Sequence, residues 1–192
     1  MIRAIAFDCF GVILNDYGHN WVDSSGLSSA EQVEVHRLFR ERDLGRLDGD
    51  EYYEQVAKVA GVDAAVLKAK EHGVAPLEPM LLSYIKNDLA SRYELYVASN
   101  ASASLLTELL HQDGFDGIFT RVFVSSEMGV IKPQPEFYAA LLNSVDVPAV
   151  EILFVDDRKP NVDAAIAAGM QGYHYNQGFA AFKKYMGLGM EA

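Results

Sequence analysis

Six residues that can bind charge or carry protons stand at or shortly after the ends of short apolar segments. They are Asp8, Ser99, Asn100, Lys132, Asp156 and Asp157. Adjacent carboxylates at the edge of a buried structure repel each other unless protons or a cation neutralise them. Mg²⁺, held by carboxylate oxygens and waters, is the simplest such cation. A carboxylate fixed beside Mg²⁺ can attack phosphorus, while a hydroxyl, backbone N–H groups and a lysine stabilise the phosphoryl oxygens.

Each of these residues also has an ordinary structural interpretation when it is considered alone. Asp8 can cap a turn, Ser99 can be a helix N-cap, and Lys132 can be a solvated surface residue. Asp156 and Asp157 can complement the dipole of a helix that follows them. The combination favours a functional site, because two adjacent buried carboxylates require a neutralising partner.

The elements that must position these residues are visible in the apolar patterning. Five short segments rich in β-branched or aromatic residues are predicted strands: "IRAIAF", "YELYVAS", "RVFVSS", "EILFVD" and "GYHYN". Three segments with helical spacing lie among them: "ASASLLTELLHQDG", "QPEFYAALLNSV" and "KPNVDAAIAAGM". The alternation predicts an α/β fold of three layers, with a Rossmann-like parallel sheet between helices. The six polar residues should then converge at the carboxyl edge of the sheet, where ligands bind.

One long stretch, residues 15–78, interrupts the alternation because it contains no convincing strand. Ser28 and Glu31 have the spacing of a helix capping box, and further helical patterns follow them. We predict a helical insert over residues 15–78, with the core domain formed by residues 1–14 and 79–192.

Composition limits the partners of the chain. Its 192 residues suffice for one domain with a sizeable core, and its formal net charge of −11 argues against non-specific binding to nucleic acid or anionic membranes. The single cysteine, Cys9, excludes an internal disulfide, and no apolar run approaches the ~18 residues of a membrane span. We expect a cytoplasmic protein, a monomer or homodimer, whose partner is a small anionic molecule bound at a local cationic site.

Four segments, in order along the chain, resemble the sequence motifs of the haloacid dehalogenase (HAD) superfamily of hydrolases. They are "FDCFGVI", "VASN", "GVIKPQPEFY" and "FVDDRKPNVDAAIAAGM". The resemblance covers nearly the whole chain and implies a HAD core with a small helical cap inserted after the first strand. The most similar subgroup includes small phosphatases and the N-terminal domain of soluble epoxide hydrolases.

The resemblance also implies roles for individual residues, with Asp8 as the nucleophile and Mg²⁺ as the cofactor. The implied catalytic residues are Asp8, Ser99, Lys132 and Asp157; the phosphate-binding residues are Ser99, Asn100 and Lys132; and the metal ligands are Asp8, Phe10, Asp156 and Asp157. Phe10 is expected to contribute its main-chain carbonyl oxygen to the metal.

Phe10 is also the position at which the sequence departs from the family pattern. The phosphatases usually carry a second Asp two residues after the nucleophile, which acts as general acid and base. Phenylalanine cannot transfer a proton, and general acid–base catalysis typically contributes about 10²–10⁴ in rate. We therefore expect slow hydrolysis of esters with poor leaving groups, whereas metal binding through the backbone oxygen need not suffer.

Two alternatives to a phosphatase remain open at this stage. An aromatic residue at position 10 is similar to the 2-haloacid dehalogenases, in which Asp attacks carbon and halide leaves unaided. The paired acids of "FVDD" argue against this alternative, because the metal-free dehalogenases typically lack them. The other alternative is a catalytically weak HAD domain used for binding or as a scaffold. The favoured hypothesis is a Mg²⁺-dependent hydrolase of a small phosphorylated metabolite.

Some further polar and aromatic residues are weaker candidates for the site. Asp16 follows the first strand closely enough for its side chain to reach back to the site, although a capping role is favoured. Tyr17 and Trp21 either line the substrate entrance or pack within the insert, and Arg158 and Lys159 either contact substrate or are solvated. The histidines show no ligand spacing and are predicted to have surface or packing roles: His19, His36, His72, His111 and His174.

Overall fold

The computed structural model describes residues 1–188. One five-stranded sheet, in which every pairing is parallel, has the strand order β3-β2-β1-β4-β5. Its strands are β1 (Ala4–Phe7), β2 (Glu94–Ser99), β3 (Arg121–Val124), β4 (Ile152–Asp156) and β5 (Gln171–His174). All five predicted strands are present, so the predicted α/β class is confirmed. The prediction extended the third strand too far, because Ser125 and Ser126 begin a short helix.

Ten α-helices accompany these strands within residues 1–188. Four precede β2 as an insert after β1: α1 (Tyr17–Ser24), α2 (Ser29–Asp43), α3 (Gly49–Ala60) and α4 (Ala64–His72). The others are α5 (Pro79–Tyr84), α6 (Ala103–Gln112), α7 (Ser125–Met128), α8 (Pro135–Asn143), α9 (Lys159–Ala167) and α10 (Gly178–Leu188). A π-helical turn, Ile85–Leu89, continues α5, and a 3-10 turn, Ala149–Glu151, precedes β4.

Helices cover both faces of the sheet. Side chains alternate along a strand, so Ile5 and Phe7 of β1 pack into one apolar cluster with α5, α6 and α10. Ala4 and Ala6 pack into a second cluster on the other face, with α8 and α9. Because β1 is buried throughout and paired on both sides, its end is a fixed point from which the next residue, Asp8, projects.

The helices α1–α4 share an apolar cluster of their own, which includes Val35, Leu38, Tyr52 and Val56. The Ser28–Glu31 capping box is formed in both directions at the start of α2, as predicted. The chain enters and leaves this helical region side by side, since Leu14 pairs with Pro76 in an isolated antiparallel bridge.

The described residues include no helix that is both long enough and apolar enough to cross a membrane.

Candidate active site

A buried lysine joins the ends of two neighbouring strands, β1 and β4. Lys132 Nζ lies 2.9 Å from Asp8 Oδ2, just beyond β1, and 2.7 Å from Asp156 Oδ2, the last residue of β4. All three side chains are buried. Burying an ammonium without partners is costly, so the two carboxylates account for the position of Lys132. Three of the predicted site residues are thus in direct contact.

Asn100 holds the backbone of Lys132 in place. Its amide Nδ2 donates to the Lys132 carbonyl oxygen at 3.0 Å, and its Oδ1 accepts from the Lys132 backbone N–H at 2.8 Å. These two bonds connect the loop after β2 to the loop after α7. The amide of Asn100, predicted to bind phosphate, is therefore engaged with the backbone that carries the lysine.

Asp156 is oriented by neighbours at both carboxylate oxygens. Asn161 Nδ2 lies 2.9 Å from Oδ1 and 3.0 Å from Oδ2, and the Arg158 backbone N–H donates to Oδ1 at 2.8 Å. The buried Asn161 comes from α9, so the first turn of that helix fixes the carboxylate. The sequence motif contains Asn161, but its contact with Asp156 was not predicted.

Asp157 has an oxygen without a partner. Its Oδ1 is buried and has no hydrogen-bond partner among the described residues. One oxygen each of Asp8, Asp156 and Asp157 can be chosen so that all three lie within 4.8 Å of one another. An orphaned carboxylate oxygen beside two other carboxylates is a donor set that fits a hard divalent cation such as Mg²⁺.

The electrostatics of the cluster also favour a cation. Burial, with Asp156 adding to it, raises the pKa of Asp8 well above its ordinary value, although Lys132 opposes the shift. Burial and Asp156 likewise raise the pKa of Asp157. Burial acts to lower the pKa of Lys132, but Asp156 and Asp8 outweigh it and the pKa is raised. Three carboxylates share one ammonium, and a divalent cation would balance the remaining negative charge.

Ser99 provides a second orphaned group at the end of β2. The residue is fully buried, and its Oγ has no hydrogen-bond partner among residues 1–188. A buried hydroxyl without a partner is uncommon in folded proteins. This hydroxyl is the kind of donor that a phosphoryl oxygen would satisfy.

A cavity of about 320 Å³ is lined by residues of the site and by residues of the helical region. Core residues at its base include Asp8, Phe10 and Lys132, and α1 and α2 contribute Tyr17, His19, His36, Phe39 and Arg40. Phe10 is partly buried and packs against the apolar core of the sheet. The loop after β1 therefore places the apolar ring of Phe10 in the cavity. Position 10 carries no proton donor.

The weaker candidates from the sequence lie in different places in the structure. Asp16, Tyr17 and Arg158 line the cavity. Trp21 instead packs against the cluster of α1–α4, and Lys159 forms an exposed ion pair with Asp163. Arg158 and Lys132 thus place cationic groups in the lining of the cavity, although the whole chain is acidic.

His19 and His36 are the main residues that sequence reasoning did not place at the site. Their rings stack with centroids 5.7 Å apart. His19 Nδ1 lies 2.8 Å from Asp16 Oδ2, and Asp16 Oδ1 accepts from the His19 backbone N–H as the N-cap of α1. The Asp16–His19 spacing of three residues was an available signal, because it places both at one helix start.

Comparison with known proteins agrees with this geometry. Residues 2–169 match the model of the haloacid dehalogenase-like hydrolase family. The chain belongs to this family, and the predicted HAD resemblance and hydrolase class are confirmed.

Two curated relatives that span nearly the whole chain are phosphatases. The sesquiterpene phosphatase astK of Aspergillus oryzae is 27% identical over 93% of this chain and 92% of its own length. The D-ribitol-5-phosphate phosphatase of Bacteroides thetaiotaomicron is 24% identical over 93% of this chain and 94% of its own length. These relatives favour a phosphatase over a dehalogenase.

A solved structure supports the fold. A HAD family enzyme from Bacteroides thetaiotaomicron, in complex with magnesium and inorganic phosphate, superposes with a TM-score of 0.75 at 19% identity. The match covers 93% of this chain and 96% of that one. The magnesium bound by that enzyme agrees with the Mg²⁺ cofactor predicted from the sequence.

Proposed function

We propose that the protein is a cytoplasmic, Mg²⁺-dependent phosphatase of a small phosphorylated metabolite, and that it acts through an aspartyl-phosphate on Asp8. The observation that carries this proposal is the buried contact of Asp8 with Lys132 beside two further carboxylates, in the lining of a cavity. The phosphatase activities of the two curated relatives support the same reaction.

In this proposal Asp8, Asp156, Asp157 and the carbonyl oxygen of Phe10 hold the metal. When bound, Mg²⁺ would neutralise the carboxylates and polarise a phosphoryl oxygen. A carboxylate oxygen of Asp8 attacks phosphorus as the ester P–O bond breaks and the alcohol oxygen leaves, and water then releases phosphate from the aspartyl-phosphate. Asp157 would serve the reaction as a carboxylate ligand of the metal.

The remaining predicted residues act on the phosphoryl group or position those that do. Lys132 Nζ and Ser99 Oγ donate to the phosphoryl oxygens and stabilise the charge of the transition state. Asn100 holds the Lys132 backbone through two hydrogen bonds, so its contribution to phosphate binding is made through the lysine.

The substrate is a phosphate ester small enough for the cavity, whose lining includes cations as well as carboxylates. Arg40 of α2 and Arg158 of the loop after β4 both line the cavity. No ion pair or side-chain hydrogen bond within residues 1–188 engages either guanidinium group. These arginines can attract an anionic ester to a chain that is itself acidic.

The helical insert, residues 15–78, serves as a cap over a core formed by residues 1–14 and 79–192, of which 189–192 lie outside the described residues. The cavity that Asp8 lines is also lined by residues of the cap, among them Tyr17, His19 and His36. Closure of the cap would exclude water during phosphoryl transfer and would select the organic part of the ester.

The test is hydrolysis of p-nitrophenyl phosphate with Mg²⁺ and with a chelator, by the wild type and by Asp8→Asn. We expect activity that needs both Mg²⁺ and Asp8. Asp163→Asn is the matched control, because it makes the same change at an exposed carboxylate on α9 and should retain activity. Halide release from 2-haloacids without metal, in place of phosphate release, would contradict the proposal.

A further inference from the structure

The cap carries a residue that can replace the missing proton donor at position 10. Phe10 and the cap residue His19 line the same cavity, and His19 is held by Asp16 at 2.8 Å between Nδ1 and Oδ2. A carboxylate that accepts from Nδ1 fixes the imidazole tautomer and orientation and leaves Nε2 for a substrate. No described residue hydrogen-bonds to His19 Nε2.

The ring of His19 is held on two further sides. It stacks on His36 at 5.7 Å and meets the edge of the Phe39 ring at 5.4 Å, both measured between centroids. A ring fixed by a carboxylate and two aromatic neighbours is pre-organised for proton transfer.

The charges around His19 favour its protonated form. The hydrogen bond to Asp16 raises the pKa of His19 above its ordinary value, against the effects of burial and of Arg158, while Asp43 of α2 adds to the increase. Burial and the nearby His19 lower the pKa of His36, so the surroundings favour protonation of His19 over protonation of His36. A raised pKa keeps the imidazole protonated toward higher pH, as a general acid requires.

We propose that His19, oriented by Asp16, is the general acid and base that replaces the absent carboxylate at position 10; this inference depends on the phosphatase function proposed above. In the first step an Asp8 oxygen bonds to phosphorus and the ester P–O bond breaks. The electron pair of that bond stays on the leaving oxygen, which takes the proton from His19 Nε2 and departs as an alcohol.

The second step restores the enzyme. Neutral His19 accepts a proton from water as the water oxygen bonds to phosphorus. The bond between phosphorus and Asp8 breaks and its electron pair returns to the carboxylate, so that inorganic phosphate leaves and His19 is again protonated.

The other polar groups of the cap side of the cavity are less suited to this role. Asp16 is committed to His19 and to the N-cap of α1. Asp43 forms an ion pair with Arg42 at 3.2 Å. Arginine does not lose its proton in proteins, so neither Arg40 nor Arg42 can alternate between acid and base.

The experiment compares kcat/KM for a series of aryl and alkyl phosphates whose leaving groups range from nitrophenol to simple alcohols. For His19→Gln we expect a loss of about 10²–10⁴ on alkyl phosphates and a much smaller loss on p-nitrophenyl phosphate, because good leaving groups need little acid. The wild type should lose kcat/KM at alkaline pH as His19 loses its proton, and this loss should be absent from the pH profile of His19→Gln. In Asp16→Asn the same loss should occur at lower pH.

His111→Gln is the matched control, since it removes an imidazole that pairs with a carboxylate, Asp116, outside the cavity. We expect its leaving-group dependence to match that of the wild type. An equal loss on all substrates in His19→Gln, or no loss, would overturn the assignment of His19. If Asp8→Asn also retained wild-type activity, the phosphatase proposal itself would fail, so the two failures are distinguishable.

Discussion

The carboxylate of Asp157 occupies the space that a side chain at position 11 would need. A Cβ atom built on Gly11 would lie 2.5 Å from Asp157 Oδ2, and the Gly11 φ angle is +84°. Both the left-handed backbone and the close approach therefore require glycine at this position. This contact fixes the loop after β1 against the loop after β4, the two segments that carry the candidate metal ligands.

We expect Gly11→Ala to displace Asp157 and to weaken Mg²⁺ binding and phosphatase activity by at least about tenfold. Gly26→Ala is the matched control, because Gly26 has a similar φ of +74° and nothing within 4 Å of a built Cβ. The control should lose about 1–2 kcal/mol of stability from backbone strain alone. Calorimetric titration with Mg²⁺ measures the effect, and equal Mg²⁺ affinity in both variants would show that the Asp157 contact is unimportant.

The cap contains a buried ion pair whose loss we expect to be costly. Arg42 Nη1 lies 2.9 Å from Glu71 Oε1, with only 8% and 7% of the two side chains exposed. The Arg42 guanidinium also lies 4.3 Å from the ring centroid of Tyr52, and the Tyr53 hydroxyl donates to Glu71. The pair connects α2 to α4, next to the cavity.

Arg42→Met should lower the free energy of unfolding by about 3–5 kcal/mol, because Glu71 would remain buried without its charged partner. The matched control is Arg37→Met, whose partner Glu34 is 43% exposed on the same helix, and it should lower stability far less because solvent screens an exposed pair. Urea unfolding followed by circular dichroism measures both changes. Similar losses in the two variants would contradict the importance that we assign to burial.

The His19–Asp16 pair should make the stability of the cap depend on pH. The hydrogen bond to Asp16 raises the pKa of His19, so its stabilisation is present below the unfolded value of about 6.5 and is lost as pH rises through the folded value. Burial acts to raise the pKa of Asp16, but His19 outweighs it and the net pKa is lowered. The stabilisation from Asp16 is thus present above about pH 3.9 and is lost as pH falls further.

The difference in unfolding free energy between wild type and His19→Gln should therefore be larger at about pH 5.5, below the unfolded pKa of His19, than at about pH 8.5. His111→Gln is the control, because its ring is 74% exposed and solvent screens its contact with Asp116. A pH-independent difference for His19→Gln would indicate that the imidazole contributes packing alone.

The sequence allowed prediction of the sheet and of the residues at its carboxyl edge. Short β-branched segments that end in Asp8, Ser99 and Asp156 indicate parallel strands, and parallel strands bring their ends to one edge. The roles of Asn100 and Asn161 could not be predicted, because they depend on hydrogen bonds between residues that are 32 and 5 positions apart in the chain.

The cap side of the cavity was harder to predict for a related reason. His19 and His36 belong to different helices, and their stacking depends on how α1 packs against α2. Helical spacing indicates which residues share a face, but it does not indicate which faces meet. The contact of Asp16 with His19 is local, and a helix N-cap followed at the third position by histidine was its available sequence signal.

The most direct test of the central claim is to trap the phosphorylated enzyme. Wild-type protein with Mg²⁺ and p-nitrophenyl phosphate would be quenched with acid at successive times before steady state, digested and analysed by mass spectrometry. The proposed mechanism predicts that one phosphoryl group appears on the peptide that contains Asp8 and is absent from Asp8→Asn. Turnover without phosphorylation of Asp8 at any quench time, or with phosphorylation of another residue, would contradict it.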